Sequence, residues 1–160
     1  KRNKNKHWEY DVVHQGFNFR LNDIQSSLGI SQLNKANMFI KYRKKIASFY
    51  NKEFCKIPKV SIPKQLKKYK SSFHLYILNI ESFKIKQKER FIKYMLKKKI
   101  MLQYHYIPIY KFKLFSDKYI LKNAETYFRS TLSLPIFYKL SLKDQNYIIY
   151  KLKFFLKTNL

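Results

Sequence analysis

Two short stretches hold the side chains best placed to do chemistry. In "GFNFRLNDIQSSLGISQL", residues 16–33, Asn18 and Arg20 stand between aromatics just ahead of a helix start. An amide donor, a guanidinium and the positive end of a helix together suit a phosphate. Asn18 can equally satisfy its own turn, because asparagine often bonds neighbouring backbone. In "QYHYIPIY", residues 103–110, His105 sits between Tyr104 and Tyr106 at the mouth of a turn. It reads either as an imidazole facing a ligand or as a hydrogen-bonded histidine at a strand end.

Other chemistries find little footing. His7, His14, His74 and His105 are far apart and none has ligand spacing with Cys or a carboxylate, so no metal site is expected. Cys55 has no acid–base partner close in sequence and reads as idle rather than nucleophilic. No Gly-rich phosphate loop occurs. With a single cysteine and no apolar run near the roughly 20 residues of a membrane span, a cytoplasmic chain away from membranes is expected. The basic opening "KRNKNKHWEY" has no apolar region behind it and does not read as a signal peptide.

The elements that must position these residues can be read from periodicity. Residues 1–20 read as an irregular lead-in. Asn22 with Gln25 resembles a capping box, so a helix should start near Asp23. Ile24, Leu28, Leu33, Ile40 and Ala47 continue near helical spacing and predict one long helix over 23–53. Ser26, Ser27, Gly29 and Ser31 form a small-residue face, which reads as either a bend or a close approach by another backbone. Pro58 and Pro63 mark a break. Strands are predicted over 71–80, 100–108 and 131–135. Helices are predicted over 88–99, 122–130 and 142–156, the last capped by Ser141 and Asp144. In "KERFIKYMLKKK" the spacing puts Phe91, Ile92, Met95 and Leu96 on one helical face. The order predicts an α+β fold, a small sheet with helices on one face, preceded by a long helix. The division is 1–54, lead-in and long helix, and 55–160, a small α+β domain.

Charge is the loudest bulk feature: 35 Lys and Arg against nine Asp and Glu give +26. A polyanion partner is one reading. Most of the cations are Lys, however, and Ile, Asn, Phe and Tyr are abundant beside them. That joint bias is what an AT-rich coding sequence produces, and phosphate-clamping surfaces lean more on Arg. A basic nucleic-acid-binding module would also need its aromatics exposed among the cations, whereas here they follow core spacing. No specific nucleic-acid partner is expected.

Several ordered motifs carry a resemblance. "GFNFRLNDIQSSLGISQLNK" resembles the G-x-N-Y-R-L-(T/S)-D stretch, and its continuation, of the DegT/DnrJ/EryC1/StrS nucleotide-sugar aminotransferases. "QYHYIPIYKFKLF" is similar to that family's V-H-Y-x-P-I-(H/Y) loop, and "LKNAETYFRSTLSLPIF" to its A-E-x-(F/Y)-x-R-x-(I/L)-S-L-P run. The forms "HWEYDVVHQGFNFR" and "HYIPIY" resemble most the flagellin-sugar branch. Its members aminate UDP-4-keto-6-deoxy-N-acetyl-β-L-altrosamine on the route to pseudaminic acid.

The resemblance implies a C-terminal small domain of a fold-type-I enzyme that uses pyridoxal 5'-phosphate. It implies that Asn18, with Arg20 beside it, reaches the phosphate of a neighbour's cofactor across a dimer interface. His105 and Tyr106 would line the cleft for the UDP-sugar. The implied partners are a homodimer mate or a missing N-terminal half, and an amino donor, by family habit glutamate. Departures are as telling. The family's cofactor-bearing lysine, the acid facing the pyridine nitrogen and the stacking aromatic lie upstream of this stretch, and no motif here matches them. The chain alone is therefore expected to be inactive, as part of a longer or split enzyme or as a non-catalytic gene remnant. Phe19 replaces the tyrosine of N-Y-R, and Tyr104 replaces the valine before the histidine, which puts the local shape of that loop in question.

Overall fold

The computed structural model describes residues 2–3, 6–115 and 120–159. In it Asn22 and Gln25 close a reciprocal cap. Asn22 Oδ1 accepts from the Gln25 amide at 2.9 Å, and Gln25 Oε1 accepts from the Asn22 amide at 3.1 Å. Helix α1 (Asp23–Leu33) follows. The single helix expected over 23–53 is divided here, because α2 (Ala36–Phe54) begins afresh. At the break the Lys35 amide reaches back only to the Gln32 carbonyl, at 3.0 Å. Asn34 and Asn37 flank it, and asparagine side chains compete with helical backbone bonding. The two helices also face different surroundings. No residue of α1 is buried, whereas α2 buries Ile46, Ala47, Tyr50 and Phe54. Beyond the helix's own adjoining turns, no described residue comes within 4 Å of where a Cβ at Gly29 would stand.

Strands β3 (Val60–Ser61), β4 (Tyr76–Ile80) and β5 (Thr131–Leu134) form an antiparallel sheet in that spatial order. Tyr76 pairs with Leu134 and Leu78 with Leu132, so these four share one face; Ile77 opposite Ser133 and Asn79 opposite Thr131 share the other. The first face meets the buried residues of α2, of α3 (Ile85–Lys97) and of α5 (Leu142–Asn159) in one continuous core. Rings interlock there: Tyr50 lies 5.0 Å from Tyr76, and Phe91 lies 4.9 Å from Phe155. The fold is α+β, helices with a small antiparallel sheet, as the periodicity predicts.

Boundaries shift for local reasons. The strand expected from residue 71 starts at Tyr76 because Phe73 takes φ 48°, with its amide on Ser71 Oγ at 3.0 Å. That turn buries the Phe73 ring ahead of the strand. Over 100–108 only a bridge between Gln103 and Ser133 forms. Beyond it Tyr104 and His105 are anchored through their side chains and Pro108 has no amide to donate. Leu96 points outward, so the buried stripe of α3 is Lys88, Phe91, Ile92 and Met95. Helix α4 (Lys122–Ser130) runs straight into β5, and Ser141 caps α5, accepting from the Asp144 amide at 3.0 Å.

The lead-in is less irregular than expected. Strands β1 (Arg2–Asn3) and β2 (Lys6–Tyr10) pair antiparallel. Trp8 and Tyr10 do alternate, but the run is too short to stand out as a strand. Tyr10 packs on Phe112 at 5.5 Å, and Asp11 Oδ1 accepts from the Lys113 amide at 2.9 Å. The 3-10 turns at Ile109–Lys111 and Lys113–Phe115 thus hold the end of the lead-in.

The core tyrosines set an alkaline limit. Tyr50 donates to the Pro135 carbonyl at 3.0 Å and Tyr76 to Asn51 Oδ1 at 2.7 Å. Burial raises both phenols well above their ordinary range. Unfolded tyrosines ionise near pH ~10 while these keep their protons, so their contribution is whole below pH ~10 and is lost above it. Urea midpoints should fall between about pH 9.5 and 11, and less steeply in Tyr76→Phe than in the parent. Equal slopes would mean the Tyr76 hydroxyl is not held in the core.

Candidate functional site

The bridge between Gln103 and Ser133 places His105 two residues along, on the face of β5 away from the core. There His105 Nδ1 lies 2.7 Å from Ser133 Oγ. The Tyr106 ring stands edge-on to the imidazole at 4.7 Å and is itself exposed, and the peptide bond between them is cis. Burial, and then the nearby charge of His74, hold the His105 pKa below its ordinary value. Its imidazole is accordingly neutral near pH 7 and able to accept a proton.

His105 and Ser133 line a cavity of about 850 Å³, together with Arg43, His74, Gln103 and Tyr147. Arg43 reaches from α2 and ties two of its edges, donating to the His74 carbonyl at 2.8 Å and the Ile136 carbonyl at 3.0 Å. Lys98 and Lys99 add positive charge at the lining, while Asp144 is engaged by Ser141 at 2.6 Å. Leu75, Ile100, Leu134, Ile136, Phe137 and Leu140 complete a largely apolar wall, so the cavity offers a guest apolar contact with cationic and hydrogen-bonding groups at a few points. Tyr106 does not line this cavity.

Asn18 and Arg20 lie elsewhere, in the extended, exposed stretch before α1. Among the described residues neither has a hydrogen bond or ion pair, and neither is joined by one to the 103–110 loop. Phe17 and Phe19 flank Asn18 and are 84% and 86% exposed. Two phenylalanines exposed to that degree form an apolar surface that the described residues leave uncovered. An amide and a guanidinium left unpaired ahead of a helix start fit a phosphate brought from outside this chain.

The remaining candidates stay quiet. Among the described residues no cluster of three or more His, Cys, Asp or Glu could hold a metal ion; the side chain of His7 lies outside the described residues. Cys55 is exposed. No described helix is long and apolar enough to cross a membrane.

One residue escaped the sequence reading. Lys88 is 1% exposed, with Nζ donating to the Phe128 carbonyl and lying 3.7 Å from the Tyr104 ring centroid. Burial brings its pKa down to about 7. Cation–π contacts at such desolvated sites are worth about 2 kcal/mol. The signal was available: Lys88, Phe91, Ile92 and Met95 have spacing i, i+3, i+4, i+7. Residue type hid it, since lysines are ordinarily solvated.

Comparison with known proteins adds an independent line. The model of the DegT/DnrJ/EryC1/StrS aminotransferase family matches residues 1–153. A Campylobacter jejuni UDP-4-amino-4,6-dideoxy-N-acetyl-β-L-altrosamine transaminase is 38% identical over 149 residues, 91% of this chain and 39% of its own length. The solved structure of Helicobacter pylori PseC, an aminotransferase involved in the biosynthesis of pseudoaminic acid, superposes with a TM-score of 0.80 at 33% identity. It is matched over 94% of this chain and 42% of that one. A Streptococcus pneumoniae protein assigned as a sugar aminotransferase, solved in its PLP form, gives a TM-score of 0.81 at 27% identity, covering 96% and 40% of the two chains. The chain thus spans about two fifths of the relatives it matches.

The site geometry predicts a titration. In an NMR pH series His105 should titrate below an ordinary histidine, and His74→Gln should move its pKa upward by removing the neighbouring charge. No movement on that substitution would mean the two rings do not sense each other across the cavity.

Proposed function

The chain belongs to the DegT/DnrJ/EryC1/StrS aminotransferase family, and from that premise we propose that it is the C-terminal part of a pyridoxal-phosphate-dependent transaminase. Its substrate is a UDP-4-keto-6-deoxy-N-acetylhexosamine of the pseudaminic acid type, aminated with glutamate as donor for surface or flagellin glycan synthesis in the cytoplasm. The observation that carries this reading is the 38% identity, over 91% of the chain, to a transaminase named for that sugar.

Two units divide the work. Residues 1–54 bring Asn18 and Arg20, which hold the cofactor phosphate of a partner across a dimer interface. Their open donors and the exposed Phe17 and Phe19 support that role. Residues 55–160 bring His105 and Tyr106 to the sugar nucleotide; the cavity that His105 shares with Arg43 and His74 supports the role of His105, and the exposed ring beside the imidazole that of Tyr106. Pyridoxal phosphate, when bound, supplies the electron sink for moving the amino group. The chain's own residues bind, orient and shield, and by themselves they do not complete the enzyme.

Three tests follow. Joined to the lysine-bearing N-terminal portion of the Campylobacter jejuni relative, Asn18→Ala should weaken cofactor retention about tenfold. In the same chimera His105→Ala should chiefly lower turnover. Unchanged retention in the first variant would remove Asn18 from the phosphate site. Second, borohydride reduction of the chain alone with pyridoxal phosphate should label many surface lysines weakly; stoichiometric label on one lysine would mean this chain carries its own cofactor lysine. Third, Ile24, Leu28 and Leu33 leave α1 with an exposed apolar surface, which drives association once charge is screened. Sedimentation should show self-association that strengthens from low to moderate salt. A clean monomer under both conditions would count against the dimer.

A further inference from the structure

Lys88 is the one charged side chain buried among the described residues. No carboxylate pairs with it among those residues. Its compensation comes from the Phe128 carbonyl, the Tyr104 ring at 3.7 Å and the Phe128 ring at 4.8 Å. The two rings stand edge to face at 5.4 Å, so the amino group and both rings form one packed unit. The charged groups around this unit are already committed: Glu125 accepts from Lys111 at 2.8 Å and from Tyr110 at 2.9 Å, and Lys111 lies 5.4 Å from the Phe128 centroid.

What the unit joins is the point of interest. Tyr104 immediately precedes His105. Phe128 sits near the end of α4, which runs directly into β5 and so into Ser133. Lys88 therefore contacts both backbone segments whose side chains meet in the bond between His105 and Ser133, and it does so from a third element, α3. We propose that Lys88 is a positioning residue: its buried amino group, held between Tyr104 and the Phe128 carbonyl, fixes the seat of His105 on Ser133. A buried amine with no carboxylate partner is a costly way to fill a core position, and an apolar side chain would fill it without joining the two segments in this way. The tyrosine at 104 belongs to the same device, because its π face is what the amino group meets. Any consequence for turnover rests on the reading of His105 given above; the positioning itself does not.

The test uses the full chain. Lys88→Met keeps length and volume but removes the charge, so the core should stay folded by circular dichroism. His105 should then lose its hold on Ser133, seen by NMR as a pKa moved up toward the ordinary histidine value and as altered imidazole nitrogen shifts. Tyr104→Leu removes the π face from the other side and should produce the same His105 changes, with the double variant no worse than either single one. It also serves if Lys88→Met does not fold. An unaltered His105 titration and unaltered nitrogen shifts in a folded variant would overturn the proposal and leave Lys88 as packing alone. In the chimera, Lys88→Met should cut turnover about ten- to a hundredfold at unchanged cofactor retention. A shifted His105 titration with full turnover would uphold the positioning and overturn the catalytic-cleft reading of His105.

Discussion

Four residue pairs between β4 and β5 decide what the rest of the chain can do. With Tyr76 opposite Leu134 and Leu78 opposite Leu132, one face of the sheet closes the core against α2, α3 and α5. The alternation of a strand then sends Ser133 to the other face, where it meets Gln103 and His105. A slip of one residue would put Ser133 into the core and Leu134 beside the imidazole. Core and candidate site are thus one constraint seen from two sides. Arg43 reinforces it, because a residue of the core-packed helix α2 ties the cavity edges at His74 and Ile136.

Local signals in the sequence proved dependable where they rest on chemistry within a few residues. The Asn22 and Gln25 box, the Ser141 cap and the direct passage from α4 into β5 are all of this kind. Pairings with distant segments were less visible. β3 has two residues and owes its existence to β4; β1 and β2 are as dependent on each other. The stretch after Ile100 carries enough β-formers for a strand, yet its side chains bind elsewhere and one bridge remains.

The site was legible in the same uneven way. His105 stood out because a histidine flanked by tyrosines before a proline is an unusual run, and its partner Ser133 lies in the third recognisable motif. Lys88 did not stand out, although its spacing was that of a core residue. Its aromatic surroundings come from Tyr104 and Phe128, 16 and 40 positions away, and only the fold brings them together. The substitution of tyrosine for the family's valine before His105 acquires a physical sense there, as the ring against which a buried amino group rests.

The chain divides by how fully it satisfies its own surfaces. From the middle of α2 onward, a continuous core gathers side chains from α2, α3, α5 and the sheet, the Tyr50 and Tyr76 hydroxyls find a carbonyl and an amide, and the cavity is walled by elements of this chain. The stretch from Phe17 to Leu33 does none of this. Its aromatics and aliphatics are exposed, its helix buries nothing, and Asn18 and Arg20 have no partner among the described residues. Yet that stretch holds a well-formed capping box, so its helix start is specified locally before anything packs on it. A defined start, open donors and an uncovered apolar surface are what the proposed contact with a body outside this chain requires. In the proposed enzyme that body carries the cofactor phosphate, and burial of Phe17, Phe19 and Ile24 against it would supply the binding energy that holds Asn18 and Arg20 in place.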